Sequence, residues 1–316
     1  MNSKRRVMFA ISVFLLIVGS MGALFEVVRK ANYNDDFNVS LRSKAEINID
    51  SHDIKRFIAH AGGAIGEDTY TNSLEALNLN YKKGFRLFEL DIIKSSDNIY
   101  VAAHNWKHWK SMTGYKGKLP PTRLAFKQKR INNKYTPMDI YDINNWFEQH
   151  PDAILVTDKV NTPLEFSNIF LDRERLMMEL FSMKALREGI QANIKSAMPN
   201  WKLMPEMADN KVQTLLDMSV TDIAASRKII KNNKRFLREL KDHGIRVYVF
   251  HVNHKGIDEI YVICNDMDYI YGLYADKYEF QDEVDCSKYK TISGWYEIPL
   301  LVANSLEGRN QHLPLP

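Results

Sequence analysis

The chain has 316 residues, of which 45% are hydrophobic and 26% charged, with 14 glycines and two cysteines. That balance excludes a disordered chain, a collagen-like repeat and a disulfide-stapled miniprotein. The net charge is +4, and Lys4, Arg5 and Arg6 sit together at the tip, so almost no positive excess is left for a nucleic-acid surface.

Val7–Phe25 (VMFAISVFLLIVGSMGALF) carries no charge. At about 1.5 Å per residue it is long enough to cross a hydrocarbon core of roughly 30 Å. The basic cluster before it predicts a cytoplasmic N-terminus, with the rest of the chain on the outer side. A cleaved signal peptide has the same basic start and apolar run, with small residues near Ser20–Gly22, and a buried core helix is the third reading. The expected organisation is an anchor or signal peptide over 1–30, a polar stalk over 31–54 and one domain over 55–316. Export would let Cys264 and Cys286 pair, but sequence leaves two unpaired thiols equally open. Without a CxxC or a metal-spaced Cys/His set, thiol-ligated zinc is excluded.

The domain has the size of one (β/α)₈ barrel. Short apolar or β-branched runs occur at Arg56–His60, Leu87–Ile93, Ile99–Ala103, Ile154–Thr157, Leu176–Phe181, Val220–Ala224, Arg246–Val252 and Tyr269–Tyr274. Helical patterns separate several of them, at Ser73–Lys83, Lys184–Gly189 and Arg227–His243, the last closed by Gly244. That alternation predicts a parallel sheet. A doubly wound open sheet is the runner-up, but neither a GxGxxG after a first strand nor a phosphate-binding P-loop is present.

The chemistry concentrates in the first third. His60 ends the first apolar run and is followed by Ala61-Gly62-Gly63; catalytic groups of barrels sit at such strand ends. In Phe88-Glu89-Leu90-Asp91-Ile92, side-chain alternation sends Glu89 and Asp91 to the same side. Two carboxylates facing one way inside a barrel are costly unless they hold a cation or a partner. Oxygen donors of this kind favour Mg²⁺ or Ca²⁺ over zinc. The run Ile99–Ala103 ends at His104.

This order of motifs resembles the glycerophosphodiester phosphodiesterase family, within the phosphatidylinositol-phospholipase-C-like phosphodiesterases. The resemblance rests on His60-Ala-Gly-Gly, Tyr70–Leu77, Glu89-Leu-Asp91, Val101–His104 and Asp158-Lys159, and resumes at Val247–Asn253 and Gly272–Asp276. It implies a distorted (β/α)₈ TIM barrel behind the N-terminal transmembrane helix, a divalent cation, and hydrolysis of a phosphodiester. His60 and His104 would act as general acid and base, Glu89 and Asp91 would hold the metal, and Lys159 would add a cation beside the phosphate. Asn72 and Trp106 are the expected substrate contacts, although Trp106 and Trp109 read equally well as a cluster packing on their own barrel. Three departures stand out: Ala61 where many members carry arginine, Thr71 where the family's Glu-Asn-Thr has its glutamate, and Asn105 where aspartate is common. Asp158 and Glu179 are the expected replacement ligands, ahead of Glu67 and Asp68. His108 and His251 receive no role.

The expected function is that of an exported, membrane-tethered phosphodiesterase. Its substrate would be a glycerophosphodiester or a phosphodiester-linked envelope polymer or lipid, and its product a hydrolysed or a cyclic phosphate. The alternative is a barrel without catalysis, acting as an envelope binding or assembly component.

Overall fold

The computed structural model describes residues 53–252, 258–280 and 284–289. The expected anchor and most of the stalk lie outside them, and among the described residues no helix is long and apolar enough to cross a membrane. The strands are β1 (Phe57–Ala59), β2 (Leu87–Lys94), β3 (Tyr100–Ala102), β4 (Ile154–Asp158), β5 (Leu176–Leu180), β6 (Ser196–Pro199), β7 (Asp222–Ser226), β8 (Arg246–Phe250) and β9 (Gly272–Ala275). Eight of these run in the order β6-β5-β4-β2-β1-β9-β8-β7, with parallel ladders. A single parallel bridge, Asn200 to Ala224, joins β6 to β7 and brings the two ends of the sheet together. The result is a distorted TIM barrel.

The interior shows why these short segments form a barrel. One apolar ring takes a residue from each parallel strand: Ile58, Leu87, Val156, Met177, Met198, Ala224, Tyr248 and Tyr274, all buried. Two residues further along, the same inward face carries His60, Glu89, Asp158, Glu179, Asn200 and Asp276, because side chains alternate along a strand with a period of two. A dry layer therefore floors a polar one at the C-terminal end of the barrel.

The helices obey local rules. Helix α1 (Leu74–Lys82) starts on Ser73, whose hydroxyl accepts from Ala76 N. Helix α2 (Trp106–Thr113) starts on Asn105, α3 (Arg123–Lys127) on Thr122, and α4 (Ile140–Gln149) on a capping box of Asp139 and Asp142, each supplying an acceptor for otherwise orphaned N–H groups. Helices α5 (Pro163–Ser167), α6 (Met183–Gln191), α7 (Lys211–Asp217), α8 (Ile230–Asp242) and α9 (Glu259–Asp266) follow. Gly244, at φ +76°, stands just beyond α8 where a left-handed residue ends a helix.

One strand expectation is corrected, and one barrel strand was not anticipated. Ile99–Ala103 yields β3, but β3 lies outside the barrel and pairs with the end of β2 in antiparallel fashion, Ile92 opposite Ala102 and Lys94 opposite Tyr100. The Ser95–Ile99 link is too short for the crossover that parallel pairing requires. The missing barrel strand is β6, whose Ser-Ala-Met-Pro sequence offers no β-branched run. The cysteines, left open by the sequence, are paired: Cys264 in α9 is bonded to Cys286, with Cα atoms 5.4 Å apart.

Candidate active site

β1 ends at Ala59, and the chain turns through Ala61, Gly62 and Gly63 at φ +49°, +84° and +86°. The turn is tight because Asn80 of α1 reaches under it, donating to the carbonyls of Gly62 (3.0 Å) and Ala64 (3.3 Å). A Cβ on Gly63 would stand 2.4 Å from that amide nitrogen. The turn aims the Ala61 N–H at Glu89 Oε2, 2.6 Å away, and presents the His60 ring at the rim. His60 Nδ1 meets Asp276 Oδ1 at 3.0 Å, a residue 216 positions later, just past β9. Asp276 is itself fixed: its N–H and that of Lys277 both donate to Glu259 Oε1 at 2.9 Å.

The second histidine is held in the same way from the other side. His104 Nδ1 lies 3.1 Å from Asp91 Oδ1. Asn72 clasps Asp91 twice, donating from Nδ2 to Oδ2 and accepting the Asp91 N–H at Oδ1, each at 2.9 Å. Asn72 adopts φ +50° to do so, a conformation asparagine tolerates better than most residues. A carboxylate on Nδ1 directs Nε2 of each ring away from it, free to take or give a proton.

Asp91 also belongs to a cluster of carboxylates with Glu89 and Asp158, one oxygen from each lying within 4.8 Å of the others. The β2–β4 register sets Asp91 directly opposite Asp158. Burial first, then Asp91 and Asp158, push Glu89 well above the usual carboxylate range, and its Oε1 is buried with no hydrogen-bond partner. Asp91 is also buried, which alone would raise it; His104, Lys159 and Asn72 outweigh that and hold it low. An orphaned, buried carboxylate oxygen beside two more carboxylates is the donor set that a hard divalent cation takes. The residues present fit such an ion.

No protein-family model matches the chain, and no curated protein matches it in sequence. Solved structures do match in fold. A glycerophosphodiester phosphodiesterase from Thermotoga maritima superposes with a TM-score of 0.52 at 20% identity, over 70% of this chain and 94% of its own. A phosphodiesterase from Oleispira antarctica, solved with the product sn-glycerol-3-phosphate, gives 0.54 at 17% identity, over 70% and 92%. A glycerophosphoryl diester phosphodiesterase from Parabacteroides distasonis gives 0.56 at 15%, over 74% and 90%. The fold is that of the glycerophosphodiester phosphodiesterases.

Within this glycerophosphodiester phosphodiesterase fold, the expected site residues separate into two groups. His60, His104, Glu89, Asp91, Asp158 and Lys159 come together. Lys159, left-handed at φ +68°, bonds Asp158 through Nζ and lies 3.5 Å from Asp91 Oδ1. Burial alone would lower its pKa, but Asp158 and Asp91 prevail and keep the ammonium charged. Asn72 contacts Asp91 and acts on the site through it. Glu179 neighbours Asp158 in the same layer but is not among the three carboxylates whose oxygens cluster; Asn200 Nδ2 donates to its Oε1 at 2.5 Å. Burial, then Asp158, push its carboxyl up to about 8. Trp106 faces a separate apolar cluster, its ring 5.9 Å from Trp109 and 6.1 Å from Phe126. Residues three apart on a helix share a face, and α2 turns the Trp106–Trp109 face onto Phe126.

The structure brings in residues to which the sequence alone assigns no role. Asp276 was visible only as the end of a motif, since nothing local pairs it with His60. His108 lies one turn into α2 with its ring 5.7 Å from that of His104; burial and then His104 lower its pKa. A cleft of about 780 Å³ opens beside His60, lined by Tyr70, His251, Asp258, Lys277 and Tyr278 among others.

Proposed function

We propose that the chain is a phosphodiesterase that hydrolyses a glycerophosphodiester or a related phosphodiester, exported and tethered by its N-terminal apolar segment. The observation that carries this reading is the pair of carboxylate-oriented histidines, both set against the Tyr70 ring, beside a cluster of three carboxylates. Glu89, Asp91 and Asp158 would hold a Mg²⁺ or Ca²⁺ ion, which would neutralise charge on the phosphoryl oxygens. One histidine takes the proton of the attacking water at Nε2 while its oxygen bonds to phosphorus. The other gives its Nε2 proton to the leaving alkoxide as the P–O bond breaks. Asp276 and Asp91 stabilise the imidazolium that each histidine becomes in turn. Lys159 adds a fixed positive charge next to the same oxygens. The Cys264–Cys286 disulfide supports an oxidising compartment, where such bonds persist.

The test is turnover of glycerophosphocholine and bis(p-nitrophenyl) phosphate by the purified full chain in detergent with added Mg²⁺ or Ca²⁺. H60A and H104A should each lower the rate on the order of 10²–10⁴-fold. The double variant should lose much less than the product, because the pair acts as one unit. No turnover by folded, cation-supplied protein across a panel of phosphodiesters would favour a binding component. Tethering is read separately: the uncleaved chain should stay with membranes through alkaline washing.

A further inference from the structure

Tyr70 belongs to none of the roles above, yet its ring stands edge-on to both histidines, with centroids 4.5 Å from His60 and 5.4 Å from His104. His60 lines the large cleft, His104 lines a small adjoining one, and Tyr70 lines both. A phosphorus atom served by the two imidazoles therefore has Tyr70 beside it. The backbone at Tyr70 is left-handed, φ +56°, an uncommon and costly conformation for a bulky residue. At Asn72 the same conformation is explained by the clasp on Asp91; at Tyr70 what it delivers is the ring position.

The hydroxyl is equipped to donate. Burial first, then Asp276, Asp91 and Glu89, push its pKa up to about 12, so at neutral pH it keeps its proton. Among the described residues it has no hydrogen-bond partner. Of the two lysines nearby, Lys159 is paired with Asp158 and Asp91, and Lys277 with Glu67 at 2.5 Å. No guanidinium lines either cavity, and position 61 is alanine.

We propose that Tyr70 is a substrate-touching residue of this site, its hydroxyl donating to a non-bridging phosphoryl oxygen while its ring fixes the gap between the two imidazoles. This rests on the phosphodiesterase reading, and the experiment separates the two. Tyr70→Phe removes the donor and keeps the wall; Tyr70→Ala removes both. A hydrogen bond to a charged oxygen is worth roughly a 10- to 100-fold change. Y70F should therefore lower kcat/KM by that factor with an unchanged thermal midpoint, and weaken binding of inorganic phosphate, titrated calorimetrically into Mg²⁺-loaded protein. Because the contact is to a non-bridging oxygen, the loss should be the same for a p-nitrophenyl and a choline leaving group. The loss from removing the general acid, by contrast, shrinks for p-nitrophenyl. Y70A should lose more than Y70F. Wild-type turnover with Y70F unchanged in both kcat/KM and phosphate affinity overturns the Tyr70 assignment alone. Absence of both turnover and phosphate binding in the wild type overturns it together with the phosphodiesterase reading.

Discussion

Glu179 offers a direct measure of how the barrel interior treats charge. It is 3% exposed, accepts from Asn200 at 2.5 Å, and has its carboxyl pushed from 4.5 to about 8, by burial and then by Asp158. A carboxyl whose folded pKa is raised holds a proton that the unfolded chain has already released. Its stabilising contribution is complete below pH 4.5 and is lost as pH rises through about 8. Each pH unit across that window removes about 1.4 kcal/mol, so the whole window amounts to at most ~5 kcal/mol. Glu179→Gln keeps a carbonyl oxygen for Asn200 and cannot ionise. Urea unfolding in the presence of a chelator, at about pH 5 and about pH 8.5, is the assay. At the lower pH the variant and wild type should agree within about 1 kcal/mol. At the higher pH the variant should be the more stable by about 3–5 kcal/mol. Parallel losses in the two proteins would refute the reasoning and show that Glu179 is ionised in the folded barrel at low cost.

Two further predictions concern the same layer and its frame. Glu89 must give up its proton to bind a cation, so the rise in thermal midpoint on adding Mg²⁺ should grow with pH; Glu89→Gln should remove most of that rise, measured by differential scanning fluorimetry. Gly63→Ala forces a Cβ to 2.4 Å from the Asn80 amide at φ +86°, and should cost at least about 2 kcal/mol in urea unfolding through backbone strain and lost hydrogen bonds.

The fold was legible where a strand announced itself by composition. Ile58, Leu87, Val156 and Tyr248 sit in runs whose apolar and β-branched content marks them as buried strands. Met198 sits in Ser-Ala-Met-Pro, which carries no such mark, and its inward position follows only from the neighbouring ladder with β5. The site was legible for the same reason: period two alone puts Glu89 and Asp91 together. Asp276 and Tyr70 were not, because their importance lies in pairings across the barrel. Asp276 reaches a residue at the opposite end of the domain. Tyr70 occupies its place through a backbone conformation that no side-chain pattern encodes. Trp106 is the converse case: an aromatic two residues after His104 reads equally as a binding or a packing residue, and the turn of α2 sets it with Trp109 against Phe126.

The two histidine clamps differ in how far the chain must travel to make them. His104 reaches Asp91 across 13 residues, through the β2–β3 hairpin; His60 reaches Asp276 across 216. The first clamp can form as soon as one hairpin closes, on the microsecond scale of such elements. The second waits until β9 has seated beside β1 and the barrel is whole, a long-range closure of the kind that makes folding slow. The early-synthesised first third thus carries one oriented histidine, and the other is oriented only when the final strand arrives, so that closure of the domain, and not the appearance of the motif-bearing segment, sets the moment at which the two imidazoles stand as a pair.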